Sequence, residues 1–212
     1  MKATIVYDNT TARSDLIADW GFACYIEAGN KKILFDTGGN GTILLQNMKT
    51  LGIDPSVITE VFISHNHFDH IGGLSAFLDE NSDVVLYVPH SLRGVRHARN
   101  VVHTDKAKKL DENLYTTGEL ENIEQSLVIQ TEKGLVLLVG CSHPHMAGII
   151  STAQQFGTVY AIIGGLHGFN HYDLFKDLTL VCPTHCTQHK QEIKLRYPEK
   201  YEEGGVGKVI EI

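Results

Sequence analysis

Apolar and polar positions alternate in short runs through the first third of the chain, and these runs predict strands at about 2–8, 21–28 and 31–36. Gly29-Asn30 separates the second run from the third and suits the tight turn of a hairpin. The spacing then becomes helical over 42–51, closed by Gly52 and followed by Asp54-Pro55. A β-rich run over 60–64 contains Val61-Phe62-Ile63 and is apolar enough to be central. A helix at about 73–80 and a strand at 84–88 follow. Strands near 125–131 and 134–140 flank a turn at Glu132-Lys133-Gly134. A helix near 146–156, a strand at 158–164, a Gly/His-rich loop, a strand at 178–183, a polar helix near 187–195 and a strand at 206–211 complete the chain. The segment 90–112, rich in Arg, His and Lys, gives no clear pattern.

Strand runs interspersed with helices predict an α/β (α+β) fold in layers. Two sheets with helices outside fit better than one doubly wound sheet, because the early hairpins imply antiparallel pairing. No internal repeat, low-complexity tract or Pro/Ser-rich linker divides the chain, so residues 1–212 are read as one domain. At this size a single core needs no disulfide framework, and 42% hydrophobic with 20% charged residues is ordinary for a globular protein.

Charge narrows the function classes. With a net charge of −7 and no stripe of Lys or Arg, phosphate-driven binding of nucleic acid is disfavoured. A small anionic substrate stays compatible, since bound cations can dominate a local field. The N-terminus lacks a signal peptide's apolar stretch, and no window approaches the ~18 apolar residues of a membrane span. Cys24, Cys141, Cys182 and Cys186 form no C-x-x-C pair, which fits a cytoplasmic protein with reduced thiols.

Histidine is the unusual component, with 12 residues, many beside Gly, Pro, Asp or another His. The strand at 60–64 ends in His65-Asn66-His67-Phe68-Asp69-His70. Residues two apart in an extended segment point the same way, so His65 and His67 can face one ion. Asp69 and His70, just before Gly72-Gly73, can serve a second. This donor set suits Zn²⁺, Fe or Mn²⁺ rather than a Cys₄ structural zinc site. The competing reading is a polar loop with incidental histidines. Four candidate ligands within six residues, directly after an apolar strand, argue against it.

The same six residues resemble the H-x-H-x-D-H motif of the metallo-β-lactamase superfamily. The likeness extends through Leu34-Phe35-Asp36-Thr37-Gly38, Tyr115-Thr116-Thr117-Gly118-Glu119-Leu120, Glu124-Gln125-Ser126-Leu127-Val128-Ile129, Gly140-Cys141-Ser142-His143-Pro144, Gly164-Gly165-Leu166-His167 and Pro183-Thr184-His185-Cys186-Thr187. Together these are similar to the subgroup that includes the methanopterin-pathway dihydropteroate-synthase-like enzyme. The resemblance implies a four-layer αββα sandwich with two divalent ions at a sheet edge, Zn²⁺ first, with Mn²⁺ or Fe as alternatives. It implies His65, His67 and His143 at one ion, and Asp69, His70 and His185 at the other. The superfamily's usual bridging Asp has no evident counterpart, and Cys141, His143 and His167 are the candidates to stand in.

The resemblance further implies a hydrolase that directs a metal-held hydroxide at a small ester, phosphoester or lactone. Asp69 would position the water, and His167 would protonate the leaving group, with His143 as its alternative. A dihydropterin-dependent transferase is the second reading, and a metal-holding sensor without turnover the third. The expected partner is a small molecule, with no nucleic acid and no membrane. His145 and Gln188 depart from the subgroup's pattern, which has Gly at both places. Several residues keep two readings. Asp36 either orients a ligand histidine or makes a turn. Cys141 reads more readily as a small buried residue than as a ligand, while Cys182 and Cys186 read as packing residues, Cys186 being the weaker ligand candidate that its place beside His185 allows. His90, His97 and His103 are expected on a polar surface.

Overall fold

A computed structural model describes all 212 residues. The first half supplies β1 (Lys2–Tyr7), β2 (Ala23–Ala28), β3 (Lys31–Phe35), β4 (Glu60–Phe62), β5 (Val85–Pro89) and β6 (Asn100–Thr104). The second supplies β7 (Lys108–Asp111), β8 (Leu114–Thr116), β9 (Leu127–Thr131), β10 (Gly134–Val139), β11 (Val159–Gly165) and β12 (Leu180–Thr184), and β13 (Val209–Glu211) returns to the first sheet. The seven-stranded sheet runs β13-β1-β2-β3-β4-β5-β6 and the six-stranded sheet β12-β11-β10-β9-β8-β7.

Both sheets are mixed in the same way. The β1–β2 and β2–β3 pairs are antiparallel, whereas β3, β4, β5 and β6 run parallel. In the other sheet β9–β10 is antiparallel and β10, β11 and β12 are parallel. Antiparallel pairs therefore make three of the six pairings in the first sheet and three of the five in the second, and the parallel pairs are joined through helices or long loops.

Three apolar clusters separate four layers. Alternate residues of the strands (Ile33, Phe35 and Phe62 of one sheet; Val136, Leu138, Ala161 and Ile163 of the other) meet between the sheets. Their neighbours in sequence point outward, as period-two geometry requires. Leu34 and Val61 pack under α1 (Gly41–Thr50) and α3 (Leu74–Glu80), where Leu44, Met48, Leu74 and Phe77 cover the first sheet. Leu135, Leu137 and Ile162 pack under α4 (Met146–Ala153) and α5 (Lys190–Arg196), through Ile149, Ile150 and Ile193. The architecture is the αββα sandwich.

The sequence reading and the structure differ where tertiary context overrides local pattern. The segment 90–112 contains β6 and β7, whose polar, half-exposed residues lie at the far edges of the two sheets. Strand β8 was not expected. The chain reaches Asp69 and His70 through a four-residue helix, α2 (Phe68–Ile71), before α3 begins. Helix α4 stops at Ala153 and continues as a 3₁₀ turn over Gln154–Phe156.

Candidate metal centre

The carboxyl ends of the parallel strands from both sheets meet at one edge of the sandwich. Beyond β4 the chain leaves the sheet as an extended loop carrying His65 and His67, then turns into α2 with Asp69 and His70. Cys141 and His143 follow β10, His167 follows β11, and His185 follows β12. Four residues at these strand ends sit in the left-handed region: Asp36 (φ 54°), Ser142 (φ 56°), His167 (φ 44°) and His185 (φ 44°). Non-glycine residues avoid that region unless surrounding structure imposes it, and such residues gather at functional sites.

Two donor groups result. Ligand atoms of His65, His67 and His143 lie within 4.8 Å of one another, as do those of Asp69, His70 and His185. The groups adjoin, because the rings of His65 and His70 are 4.2 Å apart between centroids. His65 and His70 are wholly buried, His185 nearly so, and His67 faces solvent. All six residues singled out as ligands are thus brought together. His167 stands apart from both groups, exposed, its ring 5.4 Å from that of His143.

The rings are held by their Nδ1 atoms. His70 Nδ1 donates to Asp36 Oδ2 at 2.7 Å, and His65 Nδ1 lies 2.9 Å from Ser64 Oγ, whose hydroxyl donates in turn to Asp36 Oδ2. His185 Nδ1 lies 2.9 Å from Asn9 Oδ1, an acceptor also used by Gly21 N–H. Since these partners accept, the Nδ1 atoms carry the protons and the Nε2 lone pairs face the centre. Nε2 of His65, His143 and His185 is buried with no hydrogen-bond partner. His185 Nε2 comes within 3.1 Å of Asp69 Oδ2, an ion-pair distance, but without hydrogen-bond alignment. A buried polar atom left unpaired costs about 1–3 kcal/mol. Three such nitrogens converging from separate strand ends fit a bound cation.

Charge effects agree. Burial and then the neighbouring imidazoles push His143 down to about 4 and His185 down to about 3, and hold His65 lower still. These rings are therefore neutral, as ligation requires. His70 is the exception: burial opposes its charge, but the Asp36 carboxylate outweighs burial and raises it. Burial also works against ionised Asp69, yet the neighbouring His70 holds its carboxyl below the usual range.

Several supporting residues escaped the sequence reading. Glu124 is buried, and its Oε1 accepts the backbone N–H groups of Gly140, Cys141 and Ser142 while Oε2 accepts that of His143. It shapes the whole loop that presents His143. Asp8 Oδ1 accepts His185 N–H at 2.7 Å, and Asn9 Nδ2 donates to His185 O. The available signal was the one used for His65: polar residues directly after an apolar strand, here Asp8-Asn9 after β1. Of the two readings of Asp36, the ring-orienting contact is the one present. His90, His97 and His103 are exposed. Cys182 packs between the sheets, whereas Cys186 lies 3.2 Å from Cys141.

A cleft of about 630 Å³ opens beside His143. Met146, Leu166, Phe169 and Leu174 give it apolar walls, and His145 and His167 stand on its rim. On the other side the exposed Trp20 packs edge-on to the His185 ring.

Comparison with known proteins agrees with this architecture. A family model described as "Metallo-beta-lactamase superfamily" matches residues 21–153. A 7,8-dihydropterin-6-methyl-4-(beta-D-ribofuranosyl)-aminobenzene-5'-phosphate synthase of Methanocaldococcus jannaschii is 27% identical over 279 aligned positions, covering 98% of this chain and 95% of that protein. Among solved structures, Tm1679, described as a metal-dependent hydrolase of the beta-lactamase superfamily, superposes with a TM-score of 0.82 at 21% identity, covering 100% of this chain and 99% of that one. Zinc-bound PqqB from Methylobacterium extorquens superposes with a TM-score of 0.65 at 10% identity, each chain covered in full. At these identities the structural likenesses show a shared fold.

Proposed function

We propose a metal-dependent hydrolytic function for this chain, which belongs to the metallo-beta-lactamase superfamily. The observation that carries the proposal is the pair of adjoining donor groups, one member of which, His143, lines a cleft, with three buried imidazole nitrogens unpaired. His65, His67 and His143 would hold one divalent ion, and Asp69, His70 and His185 the other, Zn²⁺ being the first choice for nitrogen-rich donors. Such ions supply Lewis acidity that polarises a carbonyl or phosphoryl oxygen and makes water nucleophilic near neutral pH.

The chain's own residues supply the rest. Asp69 is half-buried and ionised, so one carboxylate oxygen can orient a water and accept its proton. His167, exposed at the cleft rim beside His143, is placed to return a proton to the leaving group. The walls formed by Met146, Leu166, Phe169 and Leu174 would exclude water from one arm of the substrate. That lining favours a small ester or lactone with an apolar arm, with phosphoesters as the neighbouring class.

One observation favours a second reading, a transferase joining a dihydropterin to an aryl ribotide: the similarity to the archaeal synthase spans nearly the whole chain. Against it, that alignment runs to 279 positions and this chain has 212 residues, so the relative carries segments that this chain lacks. Those segments would be available to enclose two large substrates. The zinc- or manganese-loaded chain should therefore release acid from a panel of esters, lactones and phosphodiesters. It should release no diphosphate from a dihydropterin diphosphate mixed with an aryl ribotide. Diphosphate release with an inert hydrolytic panel would replace the first reading by the second.

A further inference from the structure

We infer that Cys141 is a metal ligand, its sulfur shared between the two donor groups, with Cys186 a second sulfur donor on the His185 side. This rests on the metal centre proposed above and assigns it donors beyond the histidines and Asp69. Cys141 Sγ lies within 4.8 Å of donor atoms of both His65 and His70, one residue from each group. It also forms a separate group with His185 and Cys186. Cys141 therefore stands beside a member of each group and also reaches the late strand-end loop.

The four cysteines divide into two kinds. Cys24 and Cys182 belong to the apolar cluster between the sheets. Cys141, though 3% exposed, belongs to none of the three apolar clusters. Its nearest polar neighbours are His70 Nε2 at 3.2 Å and Cys186 Sγ at 3.2 Å. A cysteine used as a small hydrophobe sits among carbons; this one sits among potential ligands. The wholly buried His65 and the 4% exposed His185 turn unpaired Nε2 atoms into the same space.

The backbone leaves room for these sulfurs. A Cβ on Gly165 would stand 2.8 Å from Cys186 Sγ and 2.3 Å from Gly140 O, so any larger residue would displace that thiol or the loop behind it. On binding an ion, each thiol would release its proton to solvent and ligate as thiolate. Cys141 would thereby fill the place for which the sequence offers no bridging Asp. The centre would hold softer metals more firmly than an all-nitrogen and oxygen set.

The full chain, reduced and loaded with Co²⁺ under anaerobic conditions, should show near-ultraviolet thiolate-to-cobalt charge-transfer absorption. Cys141→Ser should lose the greater part of that band and Cys186→Ser a smaller part, while Cys24→Ala leaves it unchanged. Should Cys141→Ser fail to fold, X-ray absorption on the zinc-loaded unsubstituted chain decides, with sulfur expected at about 2.3 Å from zinc. Zinc bound by nitrogen and oxygen neighbours alone, or a cobalt band unchanged in Cys141→Ser, overturns the inference while the metal centre stands. A chain that binds neither metal overturns both.

Discussion

Replacing Asp36 by Asn tests the ring-orienting argument with almost no change of volume. The carboxylate accepts Ser64 N–H, Ser64 O–H and His70 Nδ1–H, each at 2.7 Å. An asparagine keeps one acceptor oxygen, which the Ser64 N–H can retain. Its NH₂ group then faces Ser64 Oγ and His70 Nδ1 as a donor. The hydroxyl can turn and accept. His70 must move its proton to Nε2, and the lone pair that faced the centre disappears. Hydrogen bonds to charged groups contribute about 1.5–3 kcal/mol, so Asp36→Asn should destabilise the ion-free chain by roughly 2–3 kcal/mol. Loss of such a supporting partner weakens metal binding about 10–100-fold. Because His70 belongs with Asp69 and His185, an ion held there should be affected most, and one held by His65, which Asp36 reaches only through Ser64, less. Competition titration with a chromophoric chelator reads the affinities, and urea denaturation reads the stability. The pH dependence has a definite sign. Asp36 raises His70 above its ordinary value against the pull of burial. The pair's contribution is therefore whole below about 6.5 and is lost as pH rises through the folded value. The variant's deficit should be largest in acid and shrink in base. Two ions bound with unchanged affinity, or a deficit that grows with pH, would refute the reasoning.

Three further outcomes are expected. His67→Ala should lose most of its bound zinc and any turnover, while His97→Ala, altered at an exposed residue, should lose neither; equal zinc content in the two would remove His67 from the centre. Gly140→Ala brings a Cβ to 2.2 Å from Ser64 Oγ and 3.0 Å from His65 Nδ1, both buried. Overpacking of this kind costs about 1–3 kcal/mol, so its melting temperature and zinc content should fall together, and a variant matching the parent in both would mean the loop yields freely. The ion-free chain should weaken in acid: His143 at about 4 and His185 at about 3 stay neutral while the unfolded chain takes up protons below about 6.5. Its stability is full above that value and declines as pH falls through the two folded values. A urea midpoint that climbs on going from neutral pH to pH ~4 contradicts this.

Much of this arrangement was legible in the sequence because local chemistry carried it. The run from His65 to His70 concentrates donors within a reach that no tertiary fold can disperse. The apolar runs at 31–36 and 134–140 marked strands, but Ile33, Leu34 and Phe35 are all apolar, and only the structure sorts them, Ile33 and Phe35 between the sheets and Leu34 beneath the helices. What stayed hidden depended on pairing at a distance. Lys108–Asp111 and Leu114–Thr116 are too short and too polar to signal strands, and they form because β9 offers an edge. Glu124 gave no sign of its anchoring role, since the four N–H groups that it binds come from residues 16 to 19 positions later. Cys141 and Cys186 are 45 residues apart, and only the parallel packing of β10, β11 and β12 brings their sulfurs together.

The electrostatics of the centre follow from that same construction. Asp8, Asp36 and Glu124 are all buried, and each anchors a strand-end loop through its backbone N–H groups. Burial raises Asp8 and Glu124 against the pull of those hydrogen bonds, so they are held at a cost. The close ionic partners of Asp36, Asp69 and Glu124 are histidines rather than Lys or Arg. Most of those histidines are kept neutral by the same burial. The carboxyl groups of Asp36, Asp69 and Glu124 thus surround a space into which imidazoles direct unpaired nitrogens, with no Lys or Arg in ionic contact with them. Divalent cations would resolve both imbalances at once, by accepting the lone pairs and offsetting the carboxylates. The strained strand ends then have a physical reason to persist, because ions that bind only the folded arrangement stabilise it in proportion to their affinity. The centre should accordingly be the first part of the sandwich to loosen when ions are withdrawn, ahead of the three apolar clusters that hold its layers together.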